Sequence, residues 1–355
     1  MIKVLVVDDS PFSQKILAEI LESEPDISVE GFACSGEEAL SFLSLRKVDV
    51  VTMDILMKGM DGFEATRRIM ESETPVPIVI VSSWWNPVEV EKTFEAMAAG
   101  AVAILGKAEN TPERREEYGR ELIGAVRNAA GARVSRLRKK TLPPPRKWIR
   151  PLVERVPEVV VAGASTGGPQ ALVAFLSALP DDFPCPVVIV QHMGEEFTAG
   201  FTHWLDGKSS LRVKMAQDGE LLSPGRVFIA PGGTHLEFRG RSMLKLVGGQ
   251  SENMACPSVS RLFRSAVRGY GKNTAALLFS GMGSDGVEEM RMLRELGAVT
   301  MIQNRDSSVV WGMPGEAAKI DAADFIAPPS ELAEILAALV SGKGRLRHTE
   351  PAERV

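Results

Sequence analysis

Three short apolar runs in the second half of the chain each lead into a residue type that a serine hydrolase needs. The runs and the residues that follow them are 159–162 with Ser165, 187–190 with His192, and 275–279 with Asp285. Apolar runs of this length, separated by helical patterns, are typical of buried parallel strands. Because the carboxyl ends of such strands meet at one edge of a sheet, we expect the hydroxyl, imidazole and carboxylate to converge.

The segment around Ser165 has the spacing of a nucleophile elbow. Gly163-Ala164-Ser165-Thr166-Gly167 matches G-x-S-x-G, in which small neighbours let a serine stand exposed on a sharp strand-to-helix turn. A glycine-rich turn of this kind can also bind phosphate. The lysine of a Walker loop is missing, however, and the glycines do not fit G-x-G-x-x-G. The base and carboxylate that follow favour a nucleophilic serine.

The general base is assigned largely by elimination, because the chain has four histidines. His348 lies in a polar tail and His203 lies within a helical pattern, so both are interpreted as structural or solvated. His235 follows an apolar run and remains a second choice for the base, or a residue on the substrate side. His192 ends a run like the one before Ser165 and is the first choice.

Asp285 is the candidate for the residue that orients the imidazole and stabilises its cationic form. The alternative is that Asp285 caps the helix that begins near Gly286, since aspartate is a favoured N-cap; both roles can hold together. The chain order is Ser, His, Asp, whereas α/β hydrolases have the order Ser, Asp, His. We therefore expect a different α/β scaffold with a mostly parallel, Rossmann-like sheet.

The first half of the chain alternates five apolar runs with helical patterns, which predicts a doubly wound domain with a five-stranded parallel sheet. Asp8 and Asp9 follow the first run, Asp54 follows the third, and Lys107 follows the fifth. Three carboxylates at one sheet edge repel one another, and a hard cation such as Mg²⁺ would relieve that repulsion. The lysine could neutralise part of the remaining charge.

Composition limits the location and the partners. The 355 residues are 45% hydrophobic and 25% charged, and no apolar stretch approaches a membrane span. We therefore expect a cytoplasmic protein without membrane insertion. The three cysteines are too widely spaced for a disulfide framework or a zinc knuckle, so we expect reduced thiols.

Residues 131–157 hold nine basic side chains and one acidic side chain, together with three consecutive prolines. This composition predicts a linker. A basic bridge could instead belong to a DNA-binding response regulator. The near-neutral second half has no evident helix-turn-helix pair, which favours a function without nucleic acid.

The acidic and lysine positions of the first half resemble the response-regulator receiver family. The resemblance implies that Asp54 accepts a phosphoryl group from a histidine kinase. It places Ser82 at the family's hydroxyl switch position and Lys107 at the position of the family's lysine. It also implies Mg²⁺ binding by Asp9 and Asp54 directly, by Asp8 through water and by the carbonyl of Leu56. Two positions depart from the pattern: Ala108 stands where proline usually follows the lysine, and Ile104 stands at the aromatic switch position. Phosphorylation itself needs neither that proline nor that aromatic residue.

The second half resembles the catalytic domain of the chemotaxis protein-glutamate methylesterases, the CheB family. The resemblance rests on five segments in the expected order: 163–169, 191–193, 257–259, 281–286 and 312–314. It implies a triad of Ser165, His192 and Asp285, and the backbone N–H groups near Thr166 and Met282 are candidates for the oxyanion site. Cys256 and Ser260 stand where family members carry Arg and Asp. These two positions are expected to lie off the triad.

The resemblance further implies hydrolysis of glutamyl methyl esters on a chemoreceptor, glutamine deamidation, and activation by phosphorylation. The expected partners are the receptor's cytoplasmic helices and a chemotaxis histidine kinase; ester hydrolysis needs no cofactor. A non-motility receptor pathway and an inactive adaptor stay open as alternatives. The predicted organisation is a receiver at 1–125, a linker at 126–157, a methylesterase domain at 158–342 and a polar tail at 343–355.

Overall fold

The computed structural model describes residues 1–82, 87–107, 112–132, 134, 156–252 and 255–341. The chain divides into two compact units, residues 1–138 and 139–355. Ala108, where the sequence departs from the receiver pattern, lies outside the described residues, as do His348 and the predicted tail. No described helix is both long enough and apolar enough to cross a membrane.

The first unit is a five-stranded parallel sheet with the strand order β2-β1-β3-β4-β5. Its strands are β1 (Ile2–Val7), β2 (Ile27–Ala33), β3 (Val50–Met53), β4 (Ile78–Ser82) and β5 (Ala103–Gly106). Its helices are α1 (Pro11–Leu21), α2 (Gly36–Leu45), α3 (Gly62–Glu71), α4 (Pro87–Ala98) and α5 (Pro112–Ala130). The five predicted strands and the doubly wound class are confirmed.

Local sequence explains where these helices begin. The side chains of Ser10, Ser35 and Asp61 each accept a hydrogen bond from a backbone N–H in the first turn of the following helix. Helix α5 continues past residue 125 to Ala130, and Val126 within it is fully buried. The first residues of the segment predicted as linker are therefore helical and packed on the first unit.

The second unit contains a seven-stranded sheet with the order β14-β13-β12-β6-β7-β9-β8, and every neighbouring pair is parallel. These strands are β6 (Val159–Ala164), β7 (Val187–Gln191), β8 (Arg212–Met215), β9 (Arg226–Ile229), β12 (Thr274–Leu278), β13 (Val299–Gln303) and β14 (Phe325–Ala327). An antiparallel hairpin of β10 (His235–Arg239) and β11 (Met243–Val247) lies outside this sheet.

The helices of the second unit connect these strands. They are α6 (Gly168–Leu176), α7 (Glu195–Asp206), α8 (Val259–Gly269), α9 (Val287–Glu295), α10 (Met313–Lys319) and α11 (Pro329–Val340). Strands β12, β6 and β7 are adjacent, and all their residues are buried. Their carboxyl ends therefore form the middle of one sheet edge, which is the position that the sequence predicted for the site.

Candidate functional site

Ser165 stands on the turn between β6 and α6. Its backbone N–H donates to the carbonyl of Ser280 at 3.0 Å, which ties this turn to the loop that follows β12. Gly167 has φ +76°, a conformation that a residue with a side chain rarely adopts. A Cβ at Gly281 would lie 2.8 Å from the Ser165 Cβ, so glycine is required for this close approach. Ser165 itself is partly exposed.

His192 follows β7 directly and contacts Asp285. The imidazole Nε2 lies 2.9 Å from Asp285 Oδ2, and the side chains are 18% and 4% exposed. Because an ionised carboxylate can only accept a hydrogen bond, Nε2 carries the proton of this bond. The structure thus joins two of the three residues that the sequence selected, and the Nδ1 lone pair of His192 remains available.

The carboxylate of Asp285 lies at the N-terminus of α8. Oδ1 accepts from the Ser258 hydroxyl and the Ser260 N–H, both at 2.9 Å, and Oδ2 accepts from the Val259 N–H at 2.7 Å. Burial opposes ionisation of Asp285, but the hydrogen bond and charge of His192 and the bonds from Ser260 outweigh burial and hold its pKa well below the ordinary value. Asp285 therefore stays a carboxylate.

Two sequence-based expectations change here. Asp285 does not cap the helix that follows it: α9 has Gly286 as its N-cap with no side-chain bond, and Asp285 instead binds the first N–H groups of α8. Ser260 does not lie apart from the predicted triad, because its N–H binds the Asp285 carboxylate and its hydroxyl accepts from the Gly286 N–H at 2.8 Å. Long-range packing of α8 against this loop creates both contacts.

His235, the second choice for the base, has both ring nitrogens in use. It is fully buried; Nδ1 accepts from the Ser258 N–H at 3.2 Å, and Nε2 lies 3.1 Å from the Gln250 carbonyl. Neither nitrogen can serve a substrate without breaking these bonds. His203 is an exposed residue of α7, as the sequence indicated.

The three predicted triad residues share one edge, but only two are hydrogen-bonded. The backbone N–H of His192 donates to the Ala164 carbonyl at 2.9 Å, so His192 lies beside the peptide that precedes Ser165. Among the described residues the Ser165 hydroxyl makes no hydrogen bond to the imidazole. Such bonds are often loose without substrate and tighten in the reacting complex.

Thr166 and Met282, the oxyanion candidates, lie on either side of Ser165. Thr166 follows Ser165 in the turn, and Met282 follows Gly281, the residue whose Cα approaches the Ser165 side chain. Neither backbone N–H has an acceptor within the described part of the chain. Met282 is 53% exposed. Both N–H groups are therefore available to a ligand.

Sequence reasoning did not assign Ser258, Val259 and Gln191 to the site. The first two bind Asp285, and Gln191 bonds to the carbonyls of Ser165 and His192. Ser258 and Val259 belong to a segment that carried the family resemblance, and a serine before a helix is a signal for a helix start. The identity of their partner depends on tertiary packing.

The first unit holds a second polar cluster, at the carboxyl edge of its sheet. Lys107 Nζ lies 2.8 Å from Asp8 Oδ2 and 2.7 Å from Asp54 Oδ2. Oxygens of Asp8, Asp9 and Asp54 all lie within 4.8 Å of one another. Burial raises the pKa of Asp54 to about 6, with Asp8 also raising it and Lys107 opposing the rise. The predicted convergence of these acids and the lysine is present.

Ser82 and Ile104 lie on the neighbouring strands β4 and β5. Ser82 ends β4 and is buried, and its hydroxyl has no hydrogen-bond partner among the described residues. Ile104 in β5 is partly buried and packs against the core of the first unit. Three carboxylates in reach of one another are a donor set that fits Mg²⁺, a hard cation that prefers oxygen ligands.

Comparisons with known proteins match a different family to each of the two units, residues 1–138 and 139–355. The family model "Response regulator receiver domain" matches residues 4–117, and "CheB methylesterase" matches residues 160–336. A protein-glutamate methylesterase/protein-glutamine glutaminase of Syntrophus aciditrophicus is 44% identical, covering 96% of this chain and 98% of its own. One of Nitrosospira multiformis is also 44% identical, covering 98% and 99%. The catalytic domain of Thermotoga maritima CheB methylesterase matches with TM-score 0.51 and 35% identity, over 52% of this chain and 100% of that structure.

Proposed function

The chain belongs to the CheB methylesterase family, and we propose that it is a phosphorylation-activated enzyme that hydrolyses glutamyl methyl esters on a chemoreceptor with Ser165 as nucleophile. The observation that carries this proposal is the His192–Asp285 hydrogen bond at 2.9 Å, on strand ends that flank Ser165. The relatives named above carry the same activity in their names.

The first half of the reaction forms an acyl-enzyme. The Ser165 hydroxyl oxygen attacks the ester carbonyl carbon while His192 Nδ1 takes the hydroxyl proton. Nδ1 is the base because Nε2 is bound to Asp285, whose carboxylate stabilises the imidazolium that forms. The tetrahedral intermediate then collapses, the bond to methoxide breaks, and Nδ1 returns the proton so that methanol leaves.

The second half restores the enzyme. Water attacks the acyl-enzyme carbonyl and gives one proton to His192 Nδ1, which returns it to the Ser165 oxygen as the ester bond to Ser165 breaks. The glutamic acid side chain that is released loses its remaining proton to solvent and becomes a carboxylate. The N–H groups of Thr166 and Met282 stabilise the oxyanion in both halves; such a donor usually contributes ~3 kcal/mol. A primary amide can react at the same groups with ammonia as the leaving group, so we also propose glutaminase activity.

Control is assigned to the receiver. We propose that Asp54 accepts a phosphoryl group from a chemotaxis histidine kinase and that this modification relieves inhibition of the esterase. Asp8, Asp9 and Asp54 would hold the Mg²⁺ that supports the transfer, where it supplies positive charge for the phosphoryl oxygens. Lys107 and the Ser82 hydroxyl, which lacks a hydrogen-bond partner among the described residues, stand ready to bind the phosphoryl group. A phosphoryl group adds about −1.5 to −2 charge, enough to shift a conformational equilibrium.

The partners and place of action follow from this proposal. The substrate lies on the cytoplasmic helices of a methylated receptor, and the phosphodonor is a cytoplasmic kinase. We therefore propose that the enzyme works in the cytoplasm without membrane insertion and without binding nucleic acid. Receptors of motility and of other pathways share the chemistry of the ester, so the same reaction serves either.

The test is methanol release from methylated receptor membranes. The wild type and Ser165→Ala are compared, each with and without a small phosphodonor. We expect release by the wild type, a rise with the phosphodonor, and loss of release in Ser165→Ala under both conditions. Equal release by the two proteins would remove the serine mechanism.

A further inference from the structure

Gln191, the last residue of β7, connects the nucleophile and the base. Its side chain is buried, with 3% exposure. Nε2 donates to the Ser165 carbonyl and to the His192 carbonyl, each at 3.0 Å. The reverse orientation of the amide would place an oxygen against two carbonyl oxygens, so the hydrogen-bond network fixes the NH₂ group at this position.

The Ser165 carbonyl determines the direction of a candidate oxyanion donor. In a planar trans peptide the C=O of one residue and the N–H of the next lie in one plane and point in opposite directions. The Ser165 carbonyl and the Thr166 N–H belong to the same peptide unit. That carbonyl accepts from Nε2 of Gln191 and from the Gly168 N–H at 2.7 Å. These two donors therefore fix where the Thr166 N–H points.

The direction of the other candidate donor, the Met282 N–H, is fixed in the same way. The Gly281 carbonyl, in one peptide unit with the Met282 N–H, accepts from the N–H groups of Gly312 at 3.0 Å and Met313 at 2.8 Å. Both bonds come from backbone groups. On the Ser165 side, one of the two bonds comes from the side chain of Gln191, so that donor depends on a residue type as well as on the fold.

The surroundings of the Gln191 amide oxygen indicate a functional role. Oε1 is buried and has no hydrogen-bond partner among the described residues. A buried acceptor without a partner costs folding free energy. Packing alone would favour an apolar side chain of the same length, so the two bonds that Nε2 donates are what a glutamine adds at this position.

We propose that Gln191 is a positioning residue for ester hydrolysis, which aims the Thr166 N–H at the oxyanion and holds the backbone of His192 in register with Ser165. This inference rests on the proposed function. Oxyanion contacts strengthen in the transition state, so their loss lowers kcat and leaves the ground-state affinity largely unchanged.

Two substitutions of similar shape test the inference in the full-length, phosphodonor-activated enzyme. Gln191→Met removes both donors, and Gln191→Glu keeps one donor only while its carboxyl group is protonated. We expect Gln191→Met to lower kcat by about 10- to 100-fold with KM changed less than about threefold, because a misdirected donor loses part of the ~10²- to 10³-fold effect of a deleted one.

The ratio of the two variants across pH separates positioning from packing. The ratio of kcat for Gln191→Glu to kcat for Gln191→Met cancels the titration of the shared groups. We expect this ratio to exceed one at low pH and to fall as the introduced carboxyl group loses its proton. A constant ratio would refute the inference, and so would a Gln191→Met enzyme with unchanged kcat.

Ser165→Ala separates this inference from the proposed function. If Ser165→Ala is inactive while Gln191→Met retains kcat, only the role of Gln191 is wrong. If Ser165→Ala is active, the proposed mechanism itself fails. If Gln191→Met does not fold, as judged by circular dichroism, the inference is decided by Gln191→Glu alone. Its kcat relative to the wild type must then fall as pH rises.

Discussion

Replacing Asp285 with asparagine removes one acceptor oxygen from a carboxylate that accepts at least four hydrogen bonds. Oδ2 accepts from His192 Nε2 and the Val259 N–H, and Oδ1 accepts from the Ser258 hydroxyl and the Ser260 N–H. An asparagine has one oxygen and one NH₂ group. In either orientation of the amide, the NH₂ group faces a backbone N–H of α8, which then lacks an acceptor.

The two orientations differ in their effect on the base. With NH₂ at the Oδ2 position, His192 Nε2 can bond only as an acceptor, so the proton moves to Nδ1 and the ring can no longer take the Ser165 proton. With NH₂ at the Oδ1 position, the tautomer survives but the Ser260 N–H loses its partner. Both orientations leave the imidazolium without a neutralising charge. A wrong tautomer costs about 10⁴-fold in a related triad, so we expect kcat to fall by about 10³- to 10⁴-fold, or ~4 to 5.5 kcal/mol.

We expect the free energy of unfolding to change less than the activation free energy. One buried N–H without an acceptor costs about 1–3 kcal/mol, which is expected to appear as a lower denaturant midpoint. Asp324→Asn is the matched control, because Asp324 accepts from the Thr300 N–H at 3.0 Å and precedes β14 at the opposite sheet edge.

The assay is single-turnover methanol release, with urea unfolding of each variant. We expect Asp285→Asn to lose activity and Asp324→Asn to lose only stability. Two results would refute the reasoning: an Asp285→Asn enzyme within tenfold of the wild type, or equal losses of activity in the two variants.

Three further outcomes are expected. Asp54→Asn should abolish the rise in methanol release that a small phosphodonor causes and leave basal release intact; a rise that persists would place the phosphoryl group elsewhere. Deletion of residues 1–140 should raise basal release, since it removes the domain that we propose inhibits the esterase, and a folded fragment no faster than the whole chain would refute inhibition by the receiver. Burial raises the pKa of the Cys185 thiol to about 11, whereas Cys34 is exposed. Alkylation at pH 8 followed by peptide mass spectrometry should therefore modify Cys34 well before Cys185, because little thiolate forms at Cys185 below its pKa, and the reverse order would contradict its burial.

Local patterns were sufficient to predict the strands that carry the chemistry. The runs before Ser165, His192 and Asp54 are buried strands. The alternation of apolar runs with helical patterns predicted a parallel sheet in each half of the chain. Residues at the ends of parallel strands share an edge whatever the connecting loops do, so their proximity follows from strand position alone. The hairpin β10–β11 was not predicted, because the predicted strands were continuous apolar runs, whereas the residues of β10 alternate between polar and apolar types.

The sequence by itself determined which residue types stand at the carboxyl ends of the strands, since apolar periodicity defines buried strands and the next polar residue falls at the edge. Only the tertiary structure decided how these residues are held. The partner of Asp285 is the N-terminus of α8, Ser260 joins the triad carboxylate, and Gln191 connects two carbonyls from different strand ends. The donors and acceptors of these bonds are up to 26 residues apart in the chain, and His192 and Asp285 are 93 residues apart; no local pattern encodes which of them meet.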